Sequence, residues 1–300
     1  NTSQISSTSR FPIHRLPNEI LIKIIEKMSP EDRKALARVD DRLYELEKMT
    51  GHRRFYCVEV IKVGDCTTLR TRSRYEKRDD DDEFDVSTSA NEIYDFLKYA
   101  TATSLSITHI LDRESGRILI NAIETLSFTV LYVWITDEVS YRFFCNLLQR
   151  CQCKRIDKIN ICWQIKSPDD SKKMLMDLPS MEQYAKIFIN SSGGYMDNEI
   201  FLKFLGKSTG EIFIYSPEKY ITSAGLAEAF QMVYSGKRKG KIVCTPSTVE
   251  LCRYREELKN SHVDFNWNRS TDEFTHIKSG AIFSDEHWRR TSFIPAPSKF

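Results

Sequence analysis

Residues 185–215 read AKIFINSSGGYMDNEIFLKFLGKSTGEIFIY and hold one complete structural unit. Ile187-x-Ile189 is an apolar-x-apolar core of the kind a short strand buries on one face, because side chains alternate along a strand. Gly193-Gly194 signals a turn. Asp197 is placed to cap a helix, and Phe201, Phe204 and Leu205 follow at helical spacing. Ile212-x-Ile214 then repeats the strand core 25 residues after the first.

Working outward, the same core recurs at Leu105-x-Ile107, Leu131-x-Val133, Ile159-x-Ile161 and Ile242-x-Cys244, so that successive spacings are 26, 28, 28, 25 and 30. Helical stripes precede most of these strands: Ile93, Phe96 and Leu97; Leu119, Ala122, Ile123 and Leu126; Phe144, Leu147 and Leu148; Leu226, Ala229, Phe230 and Val233. Ser89 with Glu92 reads as a capping box and Ser223 as a later cap. The weakest helix covers Lys172 to Leu178 and ends at Pro179. No such unit buries both its helix and its strand alone; stacking makes a parallel sheet on one face and helices on the other. In period and order the chain resembles the leucine-rich repeats, although the asparagine-ladder position is not evident. The fold class expected is α/β, with residues 89–260 forming an irregular leucine-rich-repeat-like β/α solenoid. The positions between the apolar strand residues, Ser106, Tyr132, Asn160, Phe188 and Phe213, point away from the core and are candidate contacts for a target protein.

Residues 261–300 change character. Val263-x-Phe265-x-Trp267, Thr275-His276-Ile277, Ala281-Ile282-Phe283 and Ser292-Phe293-Ile294 read as short strands, a β-rich cap over the open end of the stack. Upstream, Phe55 to Val63 and Cys66 to Tyr75 read as a β-hairpin. The basic-then-acidic run that follows reads as an exposed charged loop, so that residues 56–88 make one segment.

Residues 11–55 begin FPIHRLPNEILIKIIEKMSPEDRKALARVDDRLYEL. Pro17 suits a first helical position, and Ile20, Leu21, Ile24, Ile25 and Met28 make an amphipathic stripe. Ser29-Pro30-Glu31-Asp32 restarts a second helix with Leu36 and Val39. A third begins near Asp40-Asp41, carries Leu43 and Leu46, and stops at Gly51. Leu16-Pro17, Glu19-Ile20-Leu21, Ile24-Ile25, Asp32, Leu36 and Val39 closely resemble the F-box, and the wider run is similar to the large F-box expansions of nematodes. After Val39, Asp40-Asp41-Arg42-Leu43 stands where many F-boxes carry Cys-Lys/Arg-x-Trp. The resemblance implies a non-catalytic substrate receptor of a cullin-type (SCF) ubiquitin ligase that docks on a Skp-type adaptor and, through it, a cullin. The docking residues it implies are Leu16, Pro17, Ile20, Leu21, Ile24, Ile25, Leu36, Val39 and Leu43. A scaffold or inhibitor that uses the F-box without delivering a target is the competing reading.

Composition narrows the rest. A net charge of +2 gives no global argument for nucleic acid. No apolar run approaches the ~18–20 residues of a membrane span, and NTSQISSTSR reads as a disordered polar tail over residues 1–10. Eight cysteines, several in strand-like runs, read as buried free thiols of a cytoplasmic or nuclear protein. Cys151-x-Cys153 with Cys145 and Cys162 lacks the paired spacing of a structural zinc site, so neither metal nor cofactor is expected. Lys237, Arg238, Lys239 and Lys241 read as a solvated basic turn. No acid pair or nucleophile–base set stands out.

Overall fold

The computed structural model describes residues 15–25, 27–28, 32, 35–36, 38–49, 54–63, 66–72, 84–88, 97, 100–110, 112–151, 156–215, 221–261, 264–286 and 290–296. Among the described residues, α1 (Asn18–Ile25) and α2 (Asp41–Met49) precede the strands β1 (Arg54–Val63), β2 (Cys66–Arg72) and β3 (Phe84–Thr88). Strand and helix then alternate through β4 (Thr101–Ile107), α3 (Arg113–Thr125), β5 (Val130–Ile135), α4 (Glu138–Arg150), β6 (Lys158–Trp163) and α5 (Pro168–Leu175). The alternation continues through β7 (Lys186–Asn190), α6 (Asn198–Gly206), β8 (Glu211–Tyr215), α7 (Ser223–Tyr234), β9 (Ile242–Cys244) and α8 (Thr248–Asn260). Four short strands close the chain: β10 (Phe265–Asn268), β11 (Glu273–His276), β12 (Ile282–Glu286) and β13 (Arg290–Ile294). The capping box expected at Ser89 and Glu92 lies outside the described residues.

All the strands join one open sheet in the order β10-β11-β12-β13-β9-β8-β7-β6-β5-β4-β1-β2-β3. From β4 to β9 each strand pairs in parallel with the next one in sequence, and the expected cores align: Leu105, Leu131, Ile159, Ile187, Ile212 and Ile242 form one cross-strand row. Right-handed crossovers between sequential parallel strands put every helix on the same side of a sheet. Burial agrees, since β5, β6 and β8 alternate half-buried and buried positions, with the buried set packed into the main core.

Local signals explain the helices. Asp137 and Ser140 form a reciprocal capping box at α4, and Asp197 accepts from the Ile200 amide at 3.0 Å. The helix expected at Lys172–Leu178 starts earlier: Ser167 accepts from the Asp170 amide at 3.2 Å, and Pro168 occupies the first turn. Thr222, not Ser223, precedes α7 as its cap, because both residues are tied to neighbouring units. The Thr222 amide donates to Asn198 Oδ1 at 2.9 Å and the Ser223 amide to Glu250 at 2.8 Å.

Three further expectations change. Residues 84–88 are a strand at the tail of the expected charged loop, and β1 pairs in parallel with β4, so the hairpin belongs to the main sheet. The C-terminal strands do not simply lie over the end of the stack. The chain crosses from α8 to the far edge, and β10 to β13 run back in, so that β13 pairs with β9. Phe230 of α7 fixes this return, with its ring centroid 5.6 Å from Phe265, 6.1 Å from Phe283 and 5.5 Å from Phe293.

The third change is Arg238, which is only 2% exposed. Its guanidinium donates to the carbonyls of Leu205 at 2.7 Å, Gly210 at 2.6 Å and Ser208. These are the backbone acceptors left over where α6 ends and turns into β8, groups that need a donor when water is excluded. Burial lowers the Arg238 pKa to about 10, still far above neutral, so the group stays charged and donating. Gly240 completes the joint: a Cβ there would strike the Gly210 carbonyl of the preceding unit.

Candidate protein-binding surfaces

The N-terminal helices hold a core of their own. Leu21 and Ile25 of α1, four residues apart, meet Leu43 and Leu46 of α2, and all four are buried. Leu16, Ile22, Met28 and Leu36 pack partly buried around them, a cluster distinct from the main core. Asp40 accepts from the Leu43 amide at 2.9 Å and so starts α2. Arg42 then donates to the Leu16 carbonyl at 2.9 Å and through Nε to Asn18 at 3.0 Å. Those bonds hold the start of α1 against the first turn of α2.

The nine expected docking residues are therefore split. Leu21, Ile25 and Leu43 turn inward with Leu46, which corrects the expectation that they face a partner: helices this short need their apolar residues to hold each other. Leu16, Ile24 and Leu36 are half-buried, and Pro17, Ile20 and Val39 are exposed. Pro17, Ile20 and Ile24 are three and four residues apart and form a second stripe beside the buried pair. Seven large hydrophobic side chains are exposed among the described residues, and three of them, Ile20 at 42%, Val39 at 69% and Tyr44 at 46%, fall in this one segment. Exposed apolar residues that gather into one patch make a candidate interaction surface, whereas scattered single residues need no explanation. Arg42 and Tyr44 escaped sequence reasoning. Arg42 acts through an interaction 26 residues away, and Tyr44 lies in a helix judged only by its apolar spacing.

The second surface is the helix-free face of the sheet. Ser106, Tyr132, Asn160, Phe188 and Phe213 fall in one cross-strand row, as the alternation requires. Ser106 is the exception in exposure. It is buried, at 7%, because its short side chain stands between Glu59 and Tyr132 in the row. The Phe188 and Phe213 rings stack at 4.3 Å with 5° between planes, and Lys158 Nζ sits 4.0 Å from the Phe188 centroid. One step along the strands, Trp134, Cys162, Asn190 and Tyr215 make a parallel row, all accessible at least in part. Trp134 and Tyr215 were findable, since each lies two residues beyond a position already chosen.

The face therefore offers aromatic rings, amides and lysine. Among the described residues, no group of three or more His, Cys, Asp or Glu could hold a metal ion, and no helix is long and apolar enough to cross a membrane. Cys57, Cys145, Cys162, Cys244 and Cys252 are free thiols; Cys151 and Cys244 are buried, and Cys153 lies outside the described residues.

Residues 13–39 match the family model of the F-box domain. A search of curated proteins finds no match to this chain. The match ends at Val39, so Leu43 and α2, which complete the small core, lie beyond it. On the helix pair, its outward apolar stripe and the family match, this chain carries an F-box domain at residues 13–39.

Proposed function

We propose that the chain is the substrate-recognition subunit of an SCF-type ubiquitin ligase. F-box domains bind Skp-type adaptors within cullin complexes, and the observation that carries the reading here is the outward stripe Pro17–Ile20–Ile24 inside the matched segment. Covering ~800 Å2 of one partner at ~25 cal/mol per Å2 gives a gross gain of about 20 kcal/mol, of which association costs leave a fraction. Leu21, Ile25 and Leu43 serve by holding the stripe in shape. The β/α units act as a leucine-rich-repeat-like solenoid. Their aromatic row, Tyr132, Asn160, Phe188 and Phe213 with Trp134 and Tyr215, takes a target protein. The chain makes and breaks no bond: it raises the effective concentration of the target near the ubiquitin-charged enzyme. It works in the cytoplasm or nucleus, which suits its free thiols.

The test is titration of the full chain with a purified Skp-type adaptor. An Ile20→Asp, Ile24→Asp variant is expected to lose at least 100-fold in affinity with its thermal unfolding little changed, because Ile20 is exposed and Ile24 only half-buried. Unaltered affinity would overturn the reading. Co-purification of cullin as well as adaptor separates a ligase subunit from a scaffold.

A further inference from the structure

A groove of about 440 Å3 runs between α3 and α4 on the helical side of the sheet, the side opposite the aromatic row. Its floor is apolar and comes from Gly116, Ile120, Val139 and Phe143. Gly116 sets the depth, since a Cβ there would stand 3.2 Å from the Phe143 ring. The walls are basic: Arg113 and Arg117 on α3, Arg142 and Arg150 on α4, with Asp112 the only carboxylate among the described residues of the lining.

Two of these arginines are already engaged. Arg142 pairs with Glu138 within α4, and Arg150 reaches across to Glu124 of α3 at 3.1 Å. Arg113 and Arg117 make no ion pair among the described residues. They stand four residues apart on an exposed helix face, where like charges oppose each other and weaken the helix. A structural arginine earns its place by finding a carboxylate or a carbonyl, as Arg238 does. Among the described residues Arg113 and Arg117 instead meet no carboxylate, and they stand at the lip of an apolar trough.

We propose that the α3–α4 groove is a docking site for an acidic amphipathic segment of a partner protein. Its aliphatic side chains would fill the floor over Gly116, and carboxylates on its flanks would bridge to Arg113 and Arg117, whose guanidinium forks suit them. Asn121, Asn146 and Gln149 along the groove add donors and acceptors for a peptide backbone or polar flank. The apolar floor separates this occupant from a polyanion such as nucleic acid, which would use the charge and leave the trough wet. The site is independent of the F-box and of the aromatic row.

The probe is a labelled synthetic helical peptide about three turns long, with leucines on one face and glutamates flanking them, titrated against the full chain by fluorescence anisotropy. Saturable binding is expected. It should weaken about tenfold in the Arg113→Glu, Arg117→Glu variant, in raised salt, and for the peptide with glutamine at each glutamate. Replacing the leucines by alanine should weaken it as well. Circular dichroism of the variant should match the parent, because both arginines are exposed. The proposal is overturned by absence of binding, by equal binding of the glutamine peptide or of the charge-reversed variant, or by an oligonucleotide of equal charge competing as well as the peptide.

Discussion

Arg238 shares its turn with Lys237 and Lys239, both exposed, yet it is buried. The difference lies in the carbonyls it meets, on residues 28 to 33 positions earlier in the chain. Replacing it with methionine strands several buried acceptors, so Arg238→Met is expected to lose about 3 kcal/mol or more in urea denaturation. Arg238→Lys should recover little of that, since an ammonium cannot fork to separate carbonyls. The thiols allow a second measurement. Burial pushes the Cys244 pKa up and removes it from solvent, whereas Cys252 is exposed. Alkylation at neutral pH followed by peptide mapping should label Cys252 in the folded chain and Cys244 only after denaturation. At this scale legibility follows distance along the chain. The Asp197 cap was readable because its bond spans three residues. The role of Arg238 was not, because charge and neighbours within the turn describe a solvated loop equally well.

Among the elements, the pairing of α1 with α2 rests on four buried side chains, and each counts heavily in a unit so small. Leu21→Ala is expected to destabilise that unit by about 3 kcal/mol and to reduce adaptor binding through unfolding. The Ile20 and Ile24 changes are instead expected to act on the bound state alone. Measuring helicity beside affinity distinguishes the two. The amphipathic spacing of α1 was plain in the sequence. Which of its two apolar stripes faces inward was not, because that depends on where α2 lies. The joint between α6 and β8 makes a further case. Gly240→Ala should destabilise the chain by more than 2 kcal/mol in thermal or urea unfolding, since the new methyl meets the Gly210 backbone and not a flexible side chain. The six strands from β4 to β9 were readable for a similar reason of locality: each core spans three residues and recurs. The start of helix α5 is not legible in apolar spacing, because Ser167-Pro168 is a start signal made of polar chemistry.

At the scale of the whole molecule, the strand cores and their period located the central sheet, but order in sequence did not foretell order in space at the C-terminal end. Four short strands with a two-residue period fit several arrangements. The aromatic contacts of Phe230, and the pairing of Thr291 with Cys244 and of Phe293 with Ile242, select one. Deleting residues 290–300 should therefore detach β10 to β12 together, seen as loss of hydrogen-exchange protection over residues 265–286 while residues 130–215 keep theirs. A graded loss confined to the deleted strand would contradict this account.

That insertion also bears on biosynthesis. As the polypeptide leaves the ribosome, the earlier strands and their helices can associate in the order in which they emerge, each beside its predecessor. At β9 that order breaks: β8 is in place on one side, but the neighbour on the other side is β13, the last of the four C-terminal strands. Until then Ile242-Val243-Cys244 presents a bare apolar border, and Phe274 and Phe283 await their cover, an interval in which a nascent chain is open to aggregation and to chaperones.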